Sequence, residues 1–407
     1  MSIILRVTLP LAGVGFLNQA SRGIIATIGP LLALELGLSA SQLGLLAAAV
    51  FVTYALAQMP VGLALDLFGA RRTQTTLATI AGCGFLLSAL AEDALMLGLG
   101  RLLTGLGVAA ALMAMLQATA QWFPRDRVAA MTGLGSFFSG VGALAVTLPV
   151  QWALPHIGWR GCFWVLSVAG FAVALWIALA VPDRPPGDVA RVRRSLTNEI
   201  AEYGPIFANA NFLRFLPMIA TISGLSFTFG GLWSGPWLRD VAGLGDEPRA
   251  TILLFYGIGF MLGNLLVGRW VGWAQRRGWP PMAVTMASLG GQVAIMLALL
   301  LRPEGFATLA PLFVGFGFVS AGGPAGYAVM GQGFSRELAG RVATAINFTM
   351  LVLTVVLQNA IGWVLDFWPR TASGGWHPDG YSVALGGILL LQCAAAGATL
   401  RRGKGEA

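Results

Sequence analysis

An all-α polytopic membrane protein is the fold class this sequence predicts, on three observations. Of its 407 residues, 57% are hydrophobic and only 10% are charged, where a soluble domain carries roughly 25% charged residues. Mean hydropathy is +0.76. The apolar residues also gather into runs of about 20, the length of helix that crosses a bilayer. About a dozen such runs fill the chain and leave no room for a sizeable soluble domain.

Taken in chain order, apolar runs broken by glycine, proline and charge clusters predict helical spans over 7–34, 41–68, 73–91, 94–121, 128–155 and 160–182. The opening MSIILRVTLPLAGVGF has a weak positive start and then a long apolar run without a small-residue cleavage site. It reads as a retained first span, not a removable signal. From Pro182 to Asn209 the chain turns polar, with Arg184, Arg191, Arg193 and Arg194 alongside Asp183, Asp188, Glu199 and Glu202, which predicts a cytoplasmic linker. A second set of spans follows over 211–240, 249–274, 279–301, 304–333, 338–368 and 378–401. The expected architecture is twelve transmembrane helices in two pseudo-symmetric bundles, an N-terminal six-helix bundle over 1–182, a linker over 183–209 and a C-terminal six-helix bundle over 210–407.

The formal charge of +8 has a topological explanation before a nucleic-acid one, because lysine and arginine accumulate in cytoplasmic loops. With both termini inside, Arg6, Arg71, Arg72, Arg125, Arg127, the four linker arginines, Arg214, Arg276, Arg277, Arg336, Arg341, Arg401, Arg402 and Lys404 fall on the cytoplasmic side. Arg160, Arg239, Arg249, Arg302 and Arg370 fall outside. That asymmetry predicts a multi-pass protein of the bacterial inner membrane with both termini cytoplasmic. Cys83, Cys162 and Cys393 sit in or beside apolar runs without metal-ligand spacing, and read as small buried hydrophobes.

The halves echo one another. GLALDLFGARR, with Gly62, Asp66 and Arg71, aligns with GRWVGWAQRR, with Gly268, Gly272 and Arg277; FPRDR at Phe123, Arg125 and Asp126 aligns with FSREL at Phe334, Arg336 and Glu337. Such repeats are expected of transporters built by duplication. On these motifs, together with Arg101, Gly105 and Gly107 of span four, WFPRDRVAAMTG after it and GWRGCFWV opening span six, the chain resembles the Major Facilitator Superfamily over essentially its whole length. The loop after span two is similar to that superfamily's G-x-x-x-D-x-x-G-x-R signature in Gly62, Asp66, Gly69 and Arg71. The resemblance implies that these four residues form a conformational latch, in which the carboxylate meets a helix of the other half and the arginine completes a charge cluster. The second-half copy departs from the pattern, since Gly272 replaces the acid.

Ionisable groups at bilayer depth cost several kcal/mol and line cavities or pair with something. Arg22 lies midway along span one, after Asn18, Gln19 and Ser21, and Asn18 shares its helix face. Arg101 lies in the outer half of span four. No Asp or Glu falls mid-span, Asp66 and Asp366 being near helix ends. The buried charge is therefore cationic, and a guanidinium fork suits a carboxylate or phosphate. For Arg22 an anionic substrate and a cage of backbone carbonyls with Asn18 or Gln58 both remain open. For Arg101 the choices are packing, proton coupling and substrate contact.

Further polar and aromatic positions could line a cavity: Tyr54 and Gln58, Gln117, Trp233, Tyr256 and Asn264, then Asn347, Gln358 and Asn359. Each could instead join helices by hydrogen bonds worth about 0.6 kcal/mol. Gly259 and Gly263, at small-xxx-small spacing, permit close helix approach.

An enzyme is not expected, because His156 and His377 fall in predicted external loops with no nucleophile, base or metal arrangement around them. Met282 and Met286 alone are too few ligands for a soft-metal site, and no cofactor motif occurs. The expected function is a secondary active transporter of a small organic anion, bearing a carboxylate or phosphate, by rocker-switch alternating access at one site between the halves. A coupling proton or an exchanged anion is its co-substrate, membrane lipid its surroundings, and a monomer its expected state. The alternative is a proton-coupled drug or metabolite efflux transporter. The lack of a mid-span carboxylate counts against it, as does SGVGALAVTLP in span five, where the resemblance implies a Gly-Pro pair in antiporters of that type.

Overall fold

The computed structural model describes residues 3–182 and 203–400, and every regular element among them is helical. This is what a bilayer demands, since lipid cannot satisfy backbone N–H and C=O groups and a helix satisfies them internally. A π-helical turn, Ile4–Thr8, leads into α1 (Leu9–Glu35), α2 (Ala40–Ala89), α3 (Ala94–Gly107), α4 (Ala111–Trp122), α5 (Arg125–Ala145) and α6 (Leu148–Ala180). After the linker come α7 (Gly204–Phe207), α8 (Ala210–Leu225), a π-helical stretch Ser226–Trp233, and α9 (Ser234–Asp240). Then follow α10 (Asp246–Arg276), α11 (Ala283–Leu300), α12 (Phe306–Ser320), α13 (Gly322–Gln332), α14 (Arg336–Leu365) and α15 (Pro378–Leu400).

Among the described residues, nine helical stretches are long and apolar enough to cross a membrane. The runs 7–34 and 73–91 are helical but stand outside those nine, and of 128–155 only the part from Leu148 falls within one of them. The first carries the polar face around Arg22, and the last is interrupted between α5 and α6. The chain is thus an all-α polytopic membrane protein with nine to twelve long apolar helices. The expected boundary between spans two and three survives as a break at Gly69 (φ 78°, ψ 170°) inside α2. Gly158 (φ 63°, ψ 177°) breaks α6 where spans five and six were to part. Both positions need a residue that tolerates positive φ.

Two compact units emerge. The first takes Met1–Leu38 and Leu45–Leu196, the second Ser39–Gly44 and Thr197–Ala407. Most of the predicted linker, 183–202, lies outside the described residues.

In the first unit, Val7, Leu11 and Val14 of the opening helix pack with Ala78, Ala111, Ala118 and Ile177. In the second, Phe212, Ile219 and Ile222 of α8 pack with Leu289, Val329 and Ile346. The tightest seam of that unit joins α10 to α12. A Cβ at Gly259 would collide with the Val314 carbonyl, one at Gly263 with that of Phe318, and one at Gly317 with that of Tyr256. Helices in lipid gain little from burying apolar surface against each other, so backbone-close contact through small residues supplies the attraction. Outward-facing leucines such as Leu179, Leu265 and Leu390 are exposed, a surface that acyl chains cover.

The same reasoning corrects one expectation. Cys162 is buried, but Cys83 and Cys393 are exposed. An apolar run does not distinguish a core position from a lipid-facing one, because both surroundings are apolar.

Candidate functional site

In the first unit the predicted polar residues of α1 and α2 come together. Arg22 is 8% exposed, and its guanidinium carbon stands 4.6 Å from the centre of the Tyr54 ring and 5.3 Å from that of Phe51. A desolvated cation over an aromatic face gains about 2 kcal/mol, which helps hold this charge at bilayer depth. Asn18 lies one turn before Arg22 on the same helix face, and Gln58 one turn after Tyr54. Both are buried, and the Asn18 Oδ1 and Gln58 Nε2 atoms have no hydrogen-bond partner. Buried polar atoms are nearly always satisfied, so two orphans, one helical turn from Arg22 and from Tyr54, mark a place suited to a polar ligand.

Arg101 supports this arrangement from behind. It is 1% exposed and donates through Nη1 to the Ser21 carbonyl at 2.6 Å and through Nε to the Leu46 carbonyl at 3.4 Å. One side chain from α3 thereby grips both α1 and α2, at the residue next to Arg22. Its Nη2 is buried without a hydrogen-bond partner. Sequence reasoning left packing, proton coupling and substrate contact open for Arg101; two of its nitrogens bond to α1 and α2 carbonyls. Gln117, on α4, is partly buried.

The second unit assembles its predicted residues separately. Trp233 is fully buried and donates its indole N–H to the Gln358 carbonyl at 3.2 Å. The Gln358 side chain donates to the Phe227 carbonyl at 3.3 Å. Those contacts tie α14 to the π-helical stretch, where widened turns leave backbone carbonyls open to side-chain donors. Tyr256 stacks on Phe316 at 5.3 Å and donates its hydroxyl to the Ser226 carbonyl at 2.9 Å. It packs on Gly230, where any Cβ would strike its ring. Asn347 is partly buried on α14. Asn264 and Asn359 donate to carbonyls one turn back in their own helices.

At the signature loop, Gly62 has open space where a Cβ would stand, and Gly69 supplies the break in α2. Arg71 donates through Nε and Nη2 to the Ala178 carbonyl at 3.0 and 2.6 Å, fastening the loop to the last turn of α6. The Asp66 side chain lies outside the described residues.

Two charged clusters escaped the sequence reading. Asp240, with its side chain 2% exposed, accepts from Arg239 Nε at 2.6 Å, from the Tyr381 hydroxyl at 2.9 Å and from the Trp376 amide at 3.1 Å. Glu35 accepts from Arg160 at 2.6 Å and from the Trp159 indole at 2.8 Å. The signal was available in GWRGCFWV and in Arg239-Asp240, but neither acid announces its partner by spacing.

A family model described as Major Facilitator Superfamily matches residues 11–357. The chain belongs to the Major Facilitator Superfamily. It is 30% identical over 287 residues to human "Monocarboxylate transporter 11", an alignment covering 69% of this chain and 59% of that protein. It is 30% identical over 171 residues to "Probable sulfoacetate transporter SauU" of Cupriavidus necator, covering 42% of this chain and 40% of that one. The alignments therefore span less than two thirds of either relative's length. Among solved structures, the D-xylose-proton symporter superposes with a TM-score of 0.76 at 15% identity, covering 98% of each chain. At that identity the likeness speaks to fold alone. Membership of this superfamily, with its fold, is what these findings show.

Proposed function

We propose that this superfamily transporter moves a small organic anion, carboxylate- or phosphate-bearing, with Arg22 as its anchor. The observation that carries the reading is the buried Arg22 guanidinium over Tyr54, with the orphaned Asn18 Oδ1 and Gln58 Nε2 one helical turn away along α1 and α2. A planar fork of donors matches a carboxylate or phosphate in a bidentate pair. The neighbouring amides can take the ligand's remaining polar groups, and the aromatic rings suit a short carbon skeleton. The names of the two relatives point the same way, since a monocarboxylate and sulfoacetate both carry a carboxylate.

In this reading Arg101 positions Arg22, while Gln117, Trp233, Tyr256, Asn347 and Gln358 are further candidates for substrate contact. Alternating access proceeds by rocking of two six-helix bundles, with Gly62, Asp66, Gly69 and Arg71 as the latch. The arginine count of the loops supports an inner-membrane protein with both termini cytoplasmic, and the transporting unit in this reading is a monomer, with a proton or exchanged anion as co-substrate.

The test is uptake into proteoliposomes of small mono- and dicarboxylates, sugar phosphates and lipophilic cations, by wild type and by Arg22→Gln. Uptake of carboxylates or phosphates that the substitution abolishes is the expected result. Transport of cations alone, unchanged by the substitution, would replace this reading with efflux of cationic compounds.

A further inference from the structure

A cavity unrelated to Arg22 lies wholly within the second unit. It encloses about 760 Å³ where the end of α10 faces α11 and the junction of α12 with α13. Its chemistry is unusual for a surface between membrane helices. Trp270, Trp273 and Trp279 border it and are each about half exposed. Arg269 and Arg276 also line it, and Arg277 lies over the Trp273 ring at 4.5 Å. The side chains of these three arginines make no salt bridge or hydrogen bond among the described residues, and no Asp or Glu lines the cavity.

Local sequence builds this arrangement. Gly278, at φ 75°, ends α10 in a Schellman turn, with Gly278 N–H bonded to the Gln275 carbonyl at 3.0 Å and Trp279 N–H to that of Ala274 at 3.0 Å. The turn folds Trp279 back against Trp273, their ring centres 5.4 Å apart. Trp270 is held on the other side by an edge contact with Phe318 at 5.2 Å. Glycine keeps the groove open, for a Cβ at Gly268 would meet nothing within 4 Å, and one at Gly272 only the tip of Arg276.

We propose that this groove is a binding site for an anionic phospholipid, its headgroup phosphate held by Arg269, Arg276 and Arg277 and an acyl chain laid along the tryptophan-lined wall. Amphipathic tryptophan rings settle at headgroup depth, and basic pockets between transmembrane helices take acidic headgroups. Three arginines with no acid beside them select net negative charge, because an ethanolamine or choline cation would find no acceptor there. The apolar wall distinguishes a lipid from a free phosphate ion, which would leave the tryptophans uncovered.

The test uses the full chain purified in detergent. Native mass spectrometry after adding equimolar dioleoyl phosphatidylglycerol and dioleoyl phosphatidylcholine should show one phosphatidylglycerol retained at least tenfold in preference. Arg269→Gln with Arg276→Gln should abolish the preference. Gly268→Leu, whose Cβ would stand in open space at the groove, should do the same while leaving the size-exclusion profile unchanged. Equal retention of both lipids by wild type would overturn the proposal. So would an undiminished preference in a folded Gly268→Leu protein, or displacement of the lipid by millimolar glycerol phosphate, which would make the groove a site for the free ion.

Discussion

Arg101 donates to the carbonyl of Ser21 at 2.6 Å, one residue before Arg22. A fully buried cation on α3 therefore fixes the turn of α1 that carries the anion-binding candidate. Arg101→Gln removes a charge-assisted bond to the Ser21 carbonyl, so it should destabilise the protein by about 2 kcal/mol. Substrate affinity should fall along with stability, because Arg22 loses its placement. Thermal unfolding of the variant, with and without substrate, checks both. An unchanged melting temperature would show that the contact supports nothing.

Glu35 ends α1 just beyond the first predicted span, and the hydrogen bond from Arg160 holds its carboxyl below the usual carboxylate range, with the Trp159 bond adding to the effect against a smaller opposing effect of burial. A lowered folded value means stabilisation that is fully present above the unfolded value and lost as pH falls through the folded one. Acidification from about pH 5 toward pH 3, across the ordinary glutamate value of about 4.3, should lower the melting temperature of the wild type. Glu35→Gln should melt lower at pH 7 and lose part of that pH dependence. Both side chains are over a third exposed, so the effect will be modest and weakened by salt.

Asp240 accepts three hydrogen bonds at a nearly inaccessible site, from Arg239, Tyr381 and the Trp376 amide. Replacing one member of a buried charged pair leaves the other uncompensated, at about 3–5 kcal/mol. Asp240→Leu should therefore cut the yield of folded protein sharply. Asp240→Asn, which keeps acceptor capacity on one atom, should be milder. Equal yields from both variants and wild type would contradict this account of the cluster.

Asp366 caps the first turn of α2 within the second unit, its two carboxylate oxygens accepting from the Ala40 and Ser41 amides at 2.8 and 2.9 Å. N-cap bonds of this kind are worth about 1 kcal/mol. In Asp366→Ala, hydrogen exchange at 39–44 should accelerate by roughly fivefold, the equivalent of that energy. Exchange elsewhere in α2 should change less.

The helical, membrane-spanning character of the chain was legible in its sequence because hydropathy reports the solvent a segment can tolerate. So was the shared helix face of Asn18 and Arg22, which follows from helical spacing alone. What stayed hidden depends on partners distant in sequence. Asp240 looked like a loop acid because its partners Trp376 and Tyr381 lie over a hundred residues away. Arg101 could be read as packing, coupling or binding until its acceptor was known to be the Ser21 carbonyl. Cys83 and Cys393 were misjudged because core and lipid select the same residues. The groove beside Trp273 depends on glycines whose empty space no spacing rule detects.

The most direct test of the account is a thermal-stability scan of the detergent-purified protein against small carboxylates, phosphates, organic cations and neutral solutes, run in parallel with Arg22→Gln. A ligand that binds only the folded state, present at a hundred times its Kd, adds about 2.7 kcal/mol, a shift large enough to detect. The account predicts stabilisation by a carboxylate or phosphate that disappears in Arg22→Gln. Stabilisation by cations or neutral solutes alone, equal in both proteins, would contradict it.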